Sequence, residues 1–175
     1  MSLAFYDVSI PGYLHTLKNL AALLDKAEAH AKAGGVDPAS YLEGRLVPDM
    51  HPLTRQIQMA SDAAKGGVAR LAGVTPPSYP DTETTWAEVK DRVAKTIAFV
   101  ESIKPEQVNG GEGRIIELPL PGRTMTFTAT NFLSQFSMPN FFFHVVTAYG
   151  LLRMQGVPLG KMDYLAGGNM AALAG

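Results

Sequence analysis

The stretch that decides the fold is Phe141-Phe142-Phe143-His144-Val145-Val146-Thr147-Ala148-Tyr149-Gly150-Leu151-Leu152. It is apolar on almost every side, interrupted only by His144, Thr147 and Gly150. A membrane-spanning helix needs about 20 apolar residues, so this run is too short to cross a bilayer. A helix that is hydrophobic all round is instead buried, as the central element of a bundle or at a subunit interface. Working outward, the helical region reads from about Ala129 to Gln155. Pro139 inside it is expected to kink or split it, and Gly156 and Pro158 end it.

Three further helices follow from apolar periodicity. Ile10, Leu14, Leu17, Ala21, Leu24, Ala27 and Ala31 step by three and four, with Pro11 in the first turn and Gly34-Gly35 at the end. The second helix starts near Pro48 or Pro52, with Asp49 as an acidic N-cap, and carries Leu53, Ile57, Ala60, Ala64, Val68 and Leu71. Gly66-Gly67 weaken it by about 1 kcal/mol each relative to Ala, which points to close packing or a bend. In the third, Thr85 and Glu88 form a capping box ahead of Trp86, Val89, Val93, Ile97, Val100 and Ile103, and Pro105 is the stop. Between the third and last helices, 115–120 and 124–128 flank Pro121-Gly122, and the second of them alternates strictly. This reads as a two-stranded hairpin that must pack on the helices to persist. The expected fold is one all-α domain over 1–175: a four-helix bundle with a short β-hairpin inserted before the last helix. The small-residue tail 160–175 is expected to dock at one end or fray, with Tyr164 and Leu165 as its anchors.

Composition narrows the function. The 175 residues are 46% hydrophobic and 18% charged, and 15 basic against 16 acidic residues leave a net charge of −1. A nucleic-acid-binding domain needs an excess of cations, so no nucleic-acid partner is expected. There is no cysteine, hence no disulfide, no thiolate nucleophile and no Cys-based zinc site. With no secretory signal at the start, the expected location is cytoplasmic, away from membranes. Lys and Arg look scattered over a solvated surface, except Arg153 at the end of the buried helix.

Among four histidines, His144 is the informative one. Asn140 and Thr147 share its face of the helix, making a polar seam on an apolar rod. Buried polar groups find partners or cost about 1–3 kcal/mol each, so the seam implies a neighbouring polar group, a water pocket or a metal. Asn140 and His144 stand four apart, a spacing that lets two side chains reach one ion, although an amide is the weaker ligand. His51 is the candidate second imidazole, from the start of helix two. His15 lies beside the first stripe and His30 is expected to be solvated.

The segment 139–153 resembles the signature of an uncharacterised bacterial domain family, as do Pro48-Asp49-Met50, the stretch 156–161 and 24–31 in the first helix. That family is similar to the DinB-like (YfiT-like) metalloenzyme superfamily. The resemblance implies a four-helix bundle, a homodimer, and one divalent metal, Zn²⁺ or Ni²⁺. In such proteins the metal is held by a His from helix two and an HxxxH pair on the last helix, and serves thiol-dependent transfer or metal-dependent hydrolysis. His144 matches the second His of that pair, since Leu152-Arg153-Met154-Gln155-Gly156 follows as the superfamily's ending does. Asn140 stands where the first would be, and His51 or Gln56 takes the helix-two position. Two functions follow: a metal-dependent transferase or hydrolase with a degenerate site at His51, His144 and Asn140, or a non-catalytic dimeric binding or structural bundle that has lost the metal.

Overall fold

The structure is a computed structural model that describes residues 3–169. Its long helices are α1 (Ile10–Ala33), α2 (Leu53–Ala72), α3 (Trp86–Ser102) and, past two short ones, α6 (Met138–Met154). The short ones are α4 (Pro105–Val108) and α5 (Ala129–Asn131), and α7 (Lys161–Ala166) closes the order. A 3₁₀ turn, Pro38–Tyr41, is capped by the Asp37 side chain, which accepts from the Ala39 N–H. The architecture is mostly helical, with one antiparallel hairpin of β1 (Ile115–Leu120) and β2 (Arg123–Thr128).

The α2 stripe is buried at every predicted position, and the Thr85–Glu88 capping box of α3 is present. The second helix starts at the Pro52 end of the expected range but with a different cap, and one short helix is additional. Helix α2 begins at Leu53 with Pro52 as N-cap, and Asp49 takes no part in the cap. Its first N–H groups are satisfied by the connector instead: Leu53 N–H donates to Gly44 O at 3.0 Å, and Thr54 N–H to Leu42 O at 3.0 Å. These bonds do the work of an acidic cap. Pro105 ends α3 but also opens α4, because its missing N–H costs nothing at a first helical position. Helix α1 buries Tyr13, Leu20 and Leu23 beyond the single expected stripe, since it touches α3, α6 and α7 on different sides.

The run from 129 to 154 is continuous but irregular. Phe132–Ser137 forms π-helical turns between α5 and α6. Pro139 has no N–H for the Gln135 carbonyl and its ring crowds that carbonyl. Widened turns just upstream accommodate it, in place of a break. On α6 the tripled phenylalanine divides: Phe141 is buried, Phe142 packs partly against the core, and Phe143 is exposed. The helix is therefore apolar all round but buried on one side only.

Helices α2 and α6 lie antiparallel, with Gln56 beside His144 and Gly67 beside Ser137. A Cβ on Gly67 would sit 2.2 Å from Ser137 Oγ, so the glycine is required by close approach of α2 to the π turns. Tyr13 of α1 donates its hydroxyl to the same Ser137 Oγ at 2.7 Å. The hairpin turns at Pro121-Gly122, where Gly122 takes φ +79° as the second central residue of a Pro-Gly turn must. Phe127 of β2 packs on Phe132 and Phe136, each at 5.9 Å between ring centroids, which gives the hairpin its anchor. Helix α7 docks on α1: Asn19 donates to Tyr164 O at 3.0 Å, His15 Nε2 lies 2.6 Å from Leu165 O, and Lys26 pairs with Asp163. The end of the tail expected to dock or fray, 170–175, lies outside the described residues.

Candidate functional site

His144 reaches the α2–α6 seam and is 9% exposed. Its Nδ1 lies 2.9 Å from Gln56 Oε1. Gln56 Nε2 donates to the His51 carbonyl at 3.3 Å, which places its oxygen toward the imidazole. The pair therefore fixes the tautomer: Nδ1 carries the hydrogen and Nε2 keeps the lone pair. Burial pushes the His144 pKa down, and the nearby positive charges of His51 and Arg55 push it further. The ring is neutral at pH 7, with an acceptor nitrogen to offer.

That nitrogen belongs to a residue lining a cleft of about 300 Å³ between α2, the π turns and the hairpin. Asn140, one turn before His144, lines it too, as do Phe132 and Phe136 from the irregular segment and Leu118 from β1. From α2 come Met59, Asp62 and Arg70. The polar seam read from the sequence is thus divided. His144 and Asn140 face the cleft, whereas the Thr147 hydroxyl donates to Phe143 O of its own helix at 2.7 Å. His51 is exposed and does not line the cleft, although its charge bears on His144. His30 is exposed, and His15 holds α7.

Gln56, one of two candidates for the helix-two position, is the residue that meets His144. As a ligand set for Zn²⁺ or Ni²⁺ this is a poor fit. One imidazole nitrogen is available, the Gln56 amide oxygen is engaged by Nδ1–H, and Asn140 offers a neutral amide that binds such ions weakly. Among the described residues no three His, Cys, Asp or Glu side chains are grouped to hold a metal.

A second polar cluster went unseen in the sequence. Arg92, expected on the solvated surface, is 2% exposed. Its guanidinium meets Asp62 at 2.8 Å, Asp81 at 3.0 Å and Glu83 at 2.8 Å, and donates to Pro80 O at 3.2 Å. The loop after α2 folds back over α3 and brings Asp81 and Glu83 to it. Burial alone would raise both carboxyls, but hydrogen bonds from Arg55 to Asp81 and from Arg92 to Glu83 outweigh it and hold them below their usual range. Arg92 ties α2, the loop and α3 into one frame behind the cleft. No periodic signal marks it, because two of its three carboxylate partners, Asp81 and Glu83, come from a loop. The sequence pointed toward the cleft through the seam of His144 and Asn140, which line it together with the close-packed Gly66-Gly67. Arg153 stands in the last turn of α6, and its guanidinium donates to Val157 O in the segment after the helix, at 3.4 Å.

Residues 5–165 match the family described as Domain of unknown function (DUF1993). The crystal structure of a DinB family member protein from Shewanella denitrificans superposes with a TM-score of 0.82 at 40% identity, covering 92% of this chain and 91% of that one. Among curated proteins, none matches.

Proposed function

The chain belongs to the DUF1993 family, a domain of unknown function with the DinB-like fold, and on that premise we propose that it is a small-molecule-binding four-helix bundle that works without a resident metal. The bundle is formed by α1, α2, α3 and the run 129–154. One observation carries this reading. The position that would bring a second imidazole to a metal holds Gln56, and its amide oxygen accepts the Nδ1–H of His144. An amide in that place orients the ring and leaves Nε2 to a ligand in the cleft. In the same reading the protein is a homodimer. Phe143, Val146 and Met154, at 56%, 49% and 50% exposure, form an apolar stripe along the outer side of α6 that a second copy would cover.

The metal-dependent transferase or hydrolase draws support from the same free Nε2, and would need Asn140 and the exposed His51 to complete its ligands. A thiol for transfer would come from a co-substrate, as the chain has no cysteine. Thermal unfolding with added Zn²⁺ or Ni²⁺ separates the two. The metal-free reading expects no rise in melting temperature for the untagged protein. A saturable rise in the wild type that is lost in His144→Gln would overturn it, because an ion bound to the native state stabilises by mass action.

A further inference from the structure

Resting on the reading of the cleft as a ligand site, we infer that its ligand is a small organic anion, a carboxylate on an apolar body with a hydroxyl at the far end. Two charged side chains line the cleft, Asp62 and Arg70. Asp62 is already neutralised, with Lys65 at 3.0 Å and Arg92 at 2.8 Å. Arg70 has no carboxylate partner among the described residues; its guanidinium donates to Gly66 O at 2.9 Å. The cleft therefore offers one uncompensated cation. A guanidinium beside apolar walls is matched by a planar carboxylate, which it can bind through two parallel hydrogen bonds.

At the other end stands His144, whose free nitrogen is an acceptor and asks for a donor. A ligand hydroxyl answers it. Between the two ends the walls are Met59, Phe132 and Phe136, which suit a ring or a short hydrocarbon. Gln56, which holds the imidazole, and Gly66, which holds the guanidinium, are ten residues apart, about 15 Å along α2. The imidazole itself spans part of that distance, leaving on the order of 10 Å for the ligand. The cleft volume of about 300 Å³ admits a molecule of that length with one aromatic ring.

Calorimetric titration of the full chain tests this with three probes: 3-(4-hydroxyphenyl)propanoate, its primary amide, and 3-phenylpropanoate. The hydroxy acid is expected to bind at least about tenfold more tightly than the amide, since a charge-assisted pair is lost. It is also expected to bind several-fold more tightly than the acid without the hydroxyl. In Arg70→Gln the acid and amide become equal, and Arg70→Lys restores most of the preference for the acid, which excludes a folding defect as the cause. If the amide binds the wild type as well as the acid, or the preference survives in Arg70→Gln, the anion assignment is overturned while the binding cleft stands. If the acid without the hydroxyl binds as well as the hydroxy acid, the role given to His144 is overturned. If none of the three binds at millimolar concentration, the ligand-site reading falls with it.

Discussion

His144 and Gln56, 88 positions apart in the chain, are joined by a single hydrogen bond of 2.9 Å between imidazole Nδ1 and amide Oε1. This bond couples α6 to α2 and sets the chemistry of the cleft, because it determines which ring nitrogen holds the proton. It also turns a polar residue on an apolar helix from a liability into a fixed acceptor.

Replacing Gln56 by Leu removes the partner and leaves a buried N–H unpaired. The expected loss is about 1–3 kcal/mol of folding stability. Urea denaturation reads it directly, and an unchanged midpoint would mean the bond contributes nothing. Conversely, Gln56→His together with Asn140→His should bring three imidazoles to the seam and confer a Zn²⁺-dependent rise in melting temperature that the wild type lacks.

The His144 pKa predicts a pH dependence of known sign. Burial lowers it in the folded state below the unfolded value near 6.5. Between the two values the unfolded chain binds more protons, so stability rises with pH there. Stability is thus at its full value above about pH 6.5 and falls as pH drops toward the folded-state value. Melting temperatures from about pH 7.5 to 5 should decline more steeply for the wild type than for His144→Gln. Parallel curves would remove His144 as the cause.

Adjacent glycines on α2 should respond oppositely to the same change. A Cβ at Gly67 meets Ser137 Oγ at 2.2 Å and the Tyr13 hydroxyl at 3.0 Å, a buried hydrogen-bonded pair that must shift to admit it. Gly67→Ala should cost about 2–4 kcal/mol, from overpacking plus the disturbed bond. At Gly66 the contact is Arg70 Nη1 at 2.9 Å, the end of a flexible side chain. Gly66→Ala should be neutral or stabilising by up to about 1 kcal/mol through helix propensity. Chemical denaturation of the two variants side by side decides it, and equal effects would contradict the packing described.

Arg92→Met should destabilise by about 1–3 kcal/mol, because it leaves the largely buried Glu83 without its cation beside α3, whereas Asp62 keeps Lys65 and Asp81 keeps Arg55. The loss should shrink below about pH 4, where protonated carboxyls no longer need it. A variant as stable as wild type at neutral pH would show the cluster to be dispensable.

Light scattering at micromolar concentration should give twice the chain mass of 18.8 kDa. Phe143→Asp should return the monomer without lowering the helix content, since that side chain is exposed in the single chain. A wild-type monomer would refute the dimer.

The amino-acid order by itself determined whatever depends on neighbours within a few residues. The stripes at steps of three and four, the Thr85–Glu88 cap and the Pro121-Gly122 turn are local rules, and they hold in the structure. They suffice for a helical protein with a hairpin, and for picking out His144 as a polar residue that needs a counterpart. The identity of that counterpart belongs to tertiary structure alone. Gln56 meets His144 because two antiparallel helices pass at one height, and Arg92 is buried because a loop of no regular pattern folds over it. The cleft arises where the π turns just ahead of Pro139 approach the bare backbone of Gly67. Long-range packing sets each of these distances, and a one-dimensional period carries no record of which distant side chains it will bring together.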